Sequence, residues 1–390
     1  MMRAFTTRRL RWAVPAGVAA AVAAASLTSS VVTSAAAEPT LPARTAAQLL
    51  ASLEQINPAG FSGTIVETAK LGLPSLPDIA TPAGGADLSL ANLVTGAHTL
   101  RVWYGGQEQQ RLALLGQLSE TDVIHNGKDL WSYSSTTREV THTTLTPHEN
   151  STLHDRDIAG MTPQAAAEAA VKAIDPTTTV GVDTTARVAG RAAYQLVLSP
   201  KDTRSLIGSV RIAIDSQTSV PLRVQVFARG ATSPAIQVGF TDVSFTSPDP
   251  SVFQFVQPAG SILVPGGPLS IDGMPGASHV VERGVGRYGP TPAPQDSSTQ
   301  ADSAGPTVLG HGWTAVAEFH DALVKPGGGP AGPLGPSSAA ILNQIATPVA
   351  GGQLVTSSLF SIFITDDGRV FVGAVSGDAI QQVASTGHGL

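Results

Sequence analysis

Between Val188 and Phe255 apolar and polar residues alternate, and this period constrains the chain more than any other feature. Tyr194, Leu196 and Leu198 alternate with Gln195 and Ser199. Val210, Ile212 and Ile214 alternate with Arg211 and Asp215, Leu222, Val224 and Val226 with Arg223 and Gln225, and Ile236, Val238 and Phe240 with Gln237. Successive side chains of a strand point to opposite faces, so the pattern predicts strands with one dry and one wet face. Ala189-Gly190, Ser199 to Asp202, Asp215 to Thr218 and Arg229-Gly230 supply turns between the runs. Connections this short make an antiparallel meander. The dry face must then be covered by helices, by a second sheet or by an apolar ligand, and function turns on which.

The remaining chain supplies more strands and two candidate covers. Ala46 to Ile56 places Leu49, Leu50, Leu53 and Ile56 on one face of a helix that ends at Asn57-Pro58. Thr162-Pro163 pairs an N-cap with proline at the first helical position and opens an Ala-rich helix reaching Ala173. Strands are predicted over Phe61 to Thr68, His98 to Tyr104, Gln110 to Leu115, Thr121 to His125, Asp129 to Tyr133, Glu139 to Leu145 and Thr178 to Val188, with Asn126-Gly127 as a hairpin turn. Leu71 to Asn92 is a long Pro- and Gly-containing connection, a candidate lid. Pro258 to Gly276 and Gly289 to Pro306 read as flexible linker. Beyond it lie a strand over Thr307 to Phe319, a short helix over Ser338 to Ala346, a hairpin around Asp366-Asp367-Gly368 and a closing helix over Ser376 to Ser385. Phe360, Ile362, Phe363 and Ile364 are apolar at consecutive positions, which predicts a strand covered on both faces.

The N-terminus reads as an export signal cleaved near Ala37. Arg8, Arg9 and Arg11 precede the apolar stretch Ala13 to Leu27, and Ala35-Ala36-Ala37 offers small residues before Glu38. That apolar stretch is shorter than the ~20 residues of a membrane span. The expected location is outside the cytoplasm, secreted or in the cell envelope. Without Arg3, Arg8, Arg9 and Arg11 the 23 basic residues fall to 19 against 29 acidic ones, net −10. Such a balance argues against nucleic acid as a partner and against polybasic attachment to a membrane. There is no cysteine, which excludes disulfides, thiolate metal sites and a thiol nucleophile.

No catalytic constellation emerges, and no enzyme activity, cofactor or metal is expected. Gly284, Gly286 and Gly289 match a dinucleotide fingerprint, but Pro290 follows where a helix would have to begin. His148, Glu149, His154, Asp155 and Asp157 share one loop without a familiar ligand spacing, and a solvated polar loop accounts for them.

Asn126-Gly127-Lys128-Asp129-Leu130-Trp131-Ser132-Tyr133, Asp215 with Pro221-Leu222-Arg223, and Pro250 to Phe255 occur in an order similar to that of the LolA-like superfamily. That group includes the lipoprotein carrier LolA and the stress regulator RseB/MucB. The high Ala, Gly and Pro content points to a member from a GC-rich, actinobacterial genome. The resemblance covers about residues 45 to 260. It implies a mainly β, α+β fold: a curved antiparallel sheet or unclosed β-barrel with covering helices. It also implies an inner cavity for a lipid or a lipoprotein acyl chain, and places a lid-holding arginine near the strand that carries Arg101. On the strands named above the candidate lining is Ile65, Trp103, Leu114, Trp131, Tyr133, Tyr194, Leu196, Val210, Ile212, Val224, Val226 and Phe240. The expected organisation is a signal peptide over 1–37, a lipid-binding domain over 38–260, a linker over 261–306 and a tail over 307–390. The tail adds strands to the same sheet or forms a small second domain. The expected function is a non-catalytic carrier or binder of lipid or acyl chains. The alternative is an RseB-like regulator that binds an anti-sigma factor or another envelope membrane protein.

Overall fold

The computed structural model describes residues 39–54, 56, 58–73, 95–116, 119–145, 162–265, 307–319 and 345–390. The leader, most of the candidate lid, the loop of His148 to Asp157, the Gly284–Gly289 motif, most of the linker and most of the helix expected from Ser338 lie outside the described residues.

Helix α1 (Ala46–Glu54) comes first. Thr45 opens it: its Oγ1 accepts from Gln48 N at 3.2 Å while Gln48 Oε1 accepts from Thr45 N at 2.9 Å. This reciprocal box satisfies two N–H groups left over at the helix start. Six strands follow: β1 (Phe61–Lys70), β2 (Thr95–Tyr104), β3 (Gln109–Leu115), β4 (Glu120–Asn126), β5 (Asp129–Ser134) and β6 (Glu139–Thr144). Helix α2 (Pro163–Lys172) then begins where Thr162 Oγ1 accepts from Ala165 N at 3.2 Å, with proline in the first turn as the sequence predicts. Next come β7 (Thr178–Val188), β8 (Arg191–Pro200), β9 (Ile207–Asp215), β10 (Pro221–Ala228), β11 (Ile236–Ser244) and β12 (Ile262–Pro265).

These strands form one twelve-stranded sheet, ordered β12-β6-β5-β4-β3-β2-β1-β11-β10-β9-β8-β7. Two antiparallel meanders meet where β1 pairs with β11, and β7 and β12 remain as edges, so the curved sheet is not closed. Register shifts between Thr64 and Ile65 and between Asp183 and Ala186 bend it. Strand β12 pairs with β6 in parallel, Ile262 opposite Glu139, at residues read from the sequence as the start of the linker.

A second, six-stranded sheet contains β13 (Thr307–Leu309), β14 (Val316–Phe319), β15 (Thr347–Val349), β16 (Gly352–Thr356), β17 (Ser361–Thr365) and β18 (Val370–Gly373), in the order β13-β14-β18-β17-β16-β15. The single strand expected over Thr307 to Phe319 is broken by a 3-10 turn at Gly312–Thr314. Helix α3 (Gly377–Thr386) sets Ile380, Val383 and Ala384 against Val316, Phe363 and Phe371. Ile364 packs with Val355 and Val370 in a separate cluster, so β17 carries apolar contacts on both faces, as its composition predicts.

Among the described residues, hydrogen bonds join the two sheets. Leu206 N donates to Ala374 O at 2.8 Å, Ser358 N donates to Leu71 O at 2.8 Å, and Trp313 Nε1 donates to Thr178 Oγ1 at 2.7 Å. Gly312, beside Trp313, has φ 63°, and a Cβ there would run into the Thr177 hydroxyl and the Asp175 carboxylate. Gly312→Ala is therefore expected to lower stability by about 1–3 kcal/mol through backbone strain and the displaced contact. Chemical denaturation of the variant beside the parent chain checks this.

Candidate functional site

The candidate site is the inner face of the half-barrel, and strand register defines it. In β1 the inner residues are Phe61, Ile65 and Glu67, opposite Tyr104, Leu100 and His98 of β2. Leu100 and Val102 lie opposite Leu114 and Leu112 of β3. On the other limb Leu196 pairs with Ile212 and Ile212 with Val224, and Val224 pairs with Val238. Helices α1 and α2 sit on this face. Leu49 and Ala167 join Ile65, Leu114, Tyr194, Leu196, Val210, Ile212, Val224 and Phe240 in one buried cluster, with Val226 packed against it. Ile65, Leu196 and Ile212 are 0% exposed. Phe61 stacks on Tyr104 at 5.3 Å and meets Phe240 edge-on at 6.1 Å, while Arg44 lies 5.0 Å over the Tyr194 ring. Nine of the twelve candidate side chains thus share the inner wall, beneath the chain's own helices.

Trp103, Trp131 and Tyr133 do not belong to that wall. Trp103 alternates with the inner Val102 and Tyr104, and Trp131 and Tyr133 alternate with Leu130 and Ser132, so period two sends all three to the outer face. Trp131 is held there between His142, centroids 3.9 Å apart, and Phe255, 4.6 Å apart. Asp129 Oδ1 lies 2.9 Å from His142 Nε2. Trp103 is overlain by Arg101 at 5.0 Å and Arg111 at 5.2 Å, so Arg101 also stands on the outside. Arg111 pairs with Asp122 at 2.6 Å and donates to Val252 O at 3.3 Å, which ties the segment 250–255 across this face.

Sequence reasoning missed two polar features. Glu67 stands on the inner wall beside His98; its Oε2 is buried without a hydrogen-bond partner. Burial raises its carboxyl above the ordinary carboxylate value, against the lowering charge of His98. The position was legible, since Glu67 shares the parity of Phe61 and Ile65. The second is Asp215, read as a wet-face turn residue, whose side chain is 1% exposed. Arg191 grips both its oxygens, at 2.6 and 2.9 Å. From β4 to β6 the inner wall carries polar residues beside Val123 and Leu130: Thr121, Ser132 and Thr141 are half-buried, and Ser132 Oγ lies 3.0 Å from Thr141 Oγ1. A cleft at the opposite end of these strands, lined by Tyr104, Gln109, Asn126 and Gly127, is polar as well. Of the candidate lid, Leu71 is buried with Ala235 and Leu359, and residues 74–94 lie outside the described residues.

The curved, unclosed antiparallel sheet with helices on its inner face is the fold expected from the sequence. Residues 94–255 match the model of the MucB/RseB N-terminal domain family. The MucA/MucB complex of Pseudomonas aeruginosa is similar at 14% identity and a TM-score of 0.37, over 87% of this chain and 95% of that one. A LolA superfamily protein from Nitrosomonas europaea is similar at 11% identity and a TM-score of 0.23, over 55% of this chain and 99% of that one. A conserved protein from Thermus thermophilus reaches a TM-score of 0.31 at 11% identity, over 57% of this chain and 99% of its own. No curated protein matches the chain. Among the described residues no helix is long and apolar enough to cross a membrane.

Proposed function

We propose that the protein is a non-catalytic binding protein of the cell envelope, of the RseB/MucB type, whose ligand is a membrane protein such as an anti-sigma factor. The observation that carries this reading is the filled inner wall. Ile65, Leu196 and Ile212 are sealed under the chain's own helices, so the greasy surface is spent on folding rather than kept for a ligand. The family match over residues 94–255 points the same way. The second sheet, taken as a domain of its own, widens the surface available to a partner. Affinity capture from solubilised envelopes with the mature chain tests the reading. A single-pass membrane protein should be retained at near-equimolar ratio, and its absence while lipid co-purifies overturns it.

One observation favours the carrier reading. The wall's covers are only nine and ten residues long, and the wall beneath them is almost wholly apolar. Swinging α1 and α2 aside would offer an acyl chain about 0.8 kcal/mol per buried methylene. That gain must exceed the cost of undocking both helices, whose inward faces bury Leu49 and Ala167.

A further inference from the structure

The outer face of the half-barrel carries a cationic feature that the fold does not use. Arg223 of β10 is half-buried, and its Nε is buried with no hydrogen-bond acceptor. No acid pairs with it among the described residues, and desolvation alone pushes its guanidinium below the ordinary value. Its stem lies flat over Gly239 of β11, where a Cβ would sit 2.9 Å from Arg223 Cγ. Arg211 of β9 is the diagonal neighbour, because Arg211 pairs with Gln225, two residues along from Arg223. Its Nε is likewise buried and unpartnered. Asp183 reaches only its Nη1, at 3.6 Å, and Phe227 lies 4.7 Å beneath the guanidinium. Between the two arginines Gln225 Nε2 donates to Gln237 Oε1 at 2.7 Å.

A guanidinium taken out of water without a counter-charge is costly, and a carboxylate meeting its planar fork removes that cost. Diagonal neighbours on adjacent strands are about 7–8 Å apart, close to the spacing of alternate side chains on one extended segment. We propose that Arg223 and Arg211 form a docking site for an extended acidic segment of a partner protein, which places alternate Asp or Glu carboxylates on the two guanidiniums. A membrane surface is the poorer fit. Recognition of anionic lipid draws on clusters of about four to eight basic residues, and the whole chain carries net charge −6. The proposal rests on the partner-binding reading and assigns it a face and a chemistry.

The test uses the mature chain and a fluorescein-labelled ten-residue peptide alternating Glu with Thr, read by anisotropy in low salt, with a Gln-for-Glu peptide as control. The parent chain should bind the Glu peptide and not the Gln peptide. R223Q should weaken binding at least tenfold, R223K by less, and R187Q, on the edge strand, should leave it unchanged. Where R223Q fails to fold by circular dichroism, Gly239→Ala, which lifts the Arg223 stem and keeps its charge, is read in its place and should also weaken binding. Equal binding of the two peptides, binding unaltered in R223Q or in its substitute, or Arg223-dependent binding to phosphatidylglycerol vesicles in place of the peptide overturns the proposal. The envelope capture separates the two readings. A membrane partner retained equally by parent and R223Q sinks this face alone, whereas no partner in the parent sinks the broader reading.

Discussion

Replacing Asp215 with Ala should lower stability by about 3–5 kcal/mol, the range for removing one partner of a buried ion pair. For a chain of this size that is a fall in Tm of roughly 10 °C. The cause is the number of donors left behind. Arg191 Nε and Nη2, Gln217 N at 3.1 Å, Thr218 N at 2.8 Å and Thr218 Oγ1 at 2.9 Å all converge on this carboxylate. It closes the β9–β10 turn and pins that turn to the first residue of β8. Burial by itself would raise the carboxyl, but the Arg191 and Thr218 hydrogen bonds prevail and hold it below the ordinary carboxylate range. The sign of the pH dependence follows. A depressed folded value stabilises fully above the unfolded value of about 3.9, and the contribution is lost as pH falls from there through the folded value. Urea denaturation at pH 7 and pH 3 should show the parent losing more stability on acidification than Asp215→Asn does. Equal losses in the two chains would remove Asp215 from the account.

Ile212→Asp is the second large effect. Ile212 is fully enclosed between Leu196 and Val224 beneath the helices, so an aspartate there meets no water and no partner. The lost burial alone is about 1.5–3 kcal/mol. The unpaired carboxyl adds several more, or takes up a proton instead. The expected result is loss of the cooperative unfolding transition at neutral pH, read by near-ultraviolet circular dichroism. A variant as stable as its parent would mean that this wall is open to solvent.

The alternation that exposed the β8–β11 meander in the sequence is the alternation the sheet uses. Tyr194, Leu196, Ile212 and Val224 are inner residues because the period leaves them no other face. Turn chemistry was equally readable, since Gly127 takes φ 63° where Asn126-Gly127 predicts a hairpin. Period two separates two faces without saying which is the inner one. Trp103, Trp131 and Tyr133 look like lining because they are large, yet the 250–255 segment folds back over their side of the sheet. That return is a contact across more than a hundred residues, and nothing local encodes it. The burial of Asp215 has the same origin, because its partner Arg191 lies 24 residues away. Whether the wall is filled or hollow depends on how two short helices dock, and their own amphipathic patterns fit either outcome.

Native mass spectrometry of the protein, purified from its own host without detergent and followed by solvent extraction, tests the filled wall most directly. A sealed core predicts the bare polypeptide mass and an extract free of stoichiometric lipid. One acyl-chain ligand per chain, retained on native spraying and recovered in the extract, would contradict it and make the half-barrel a carrier.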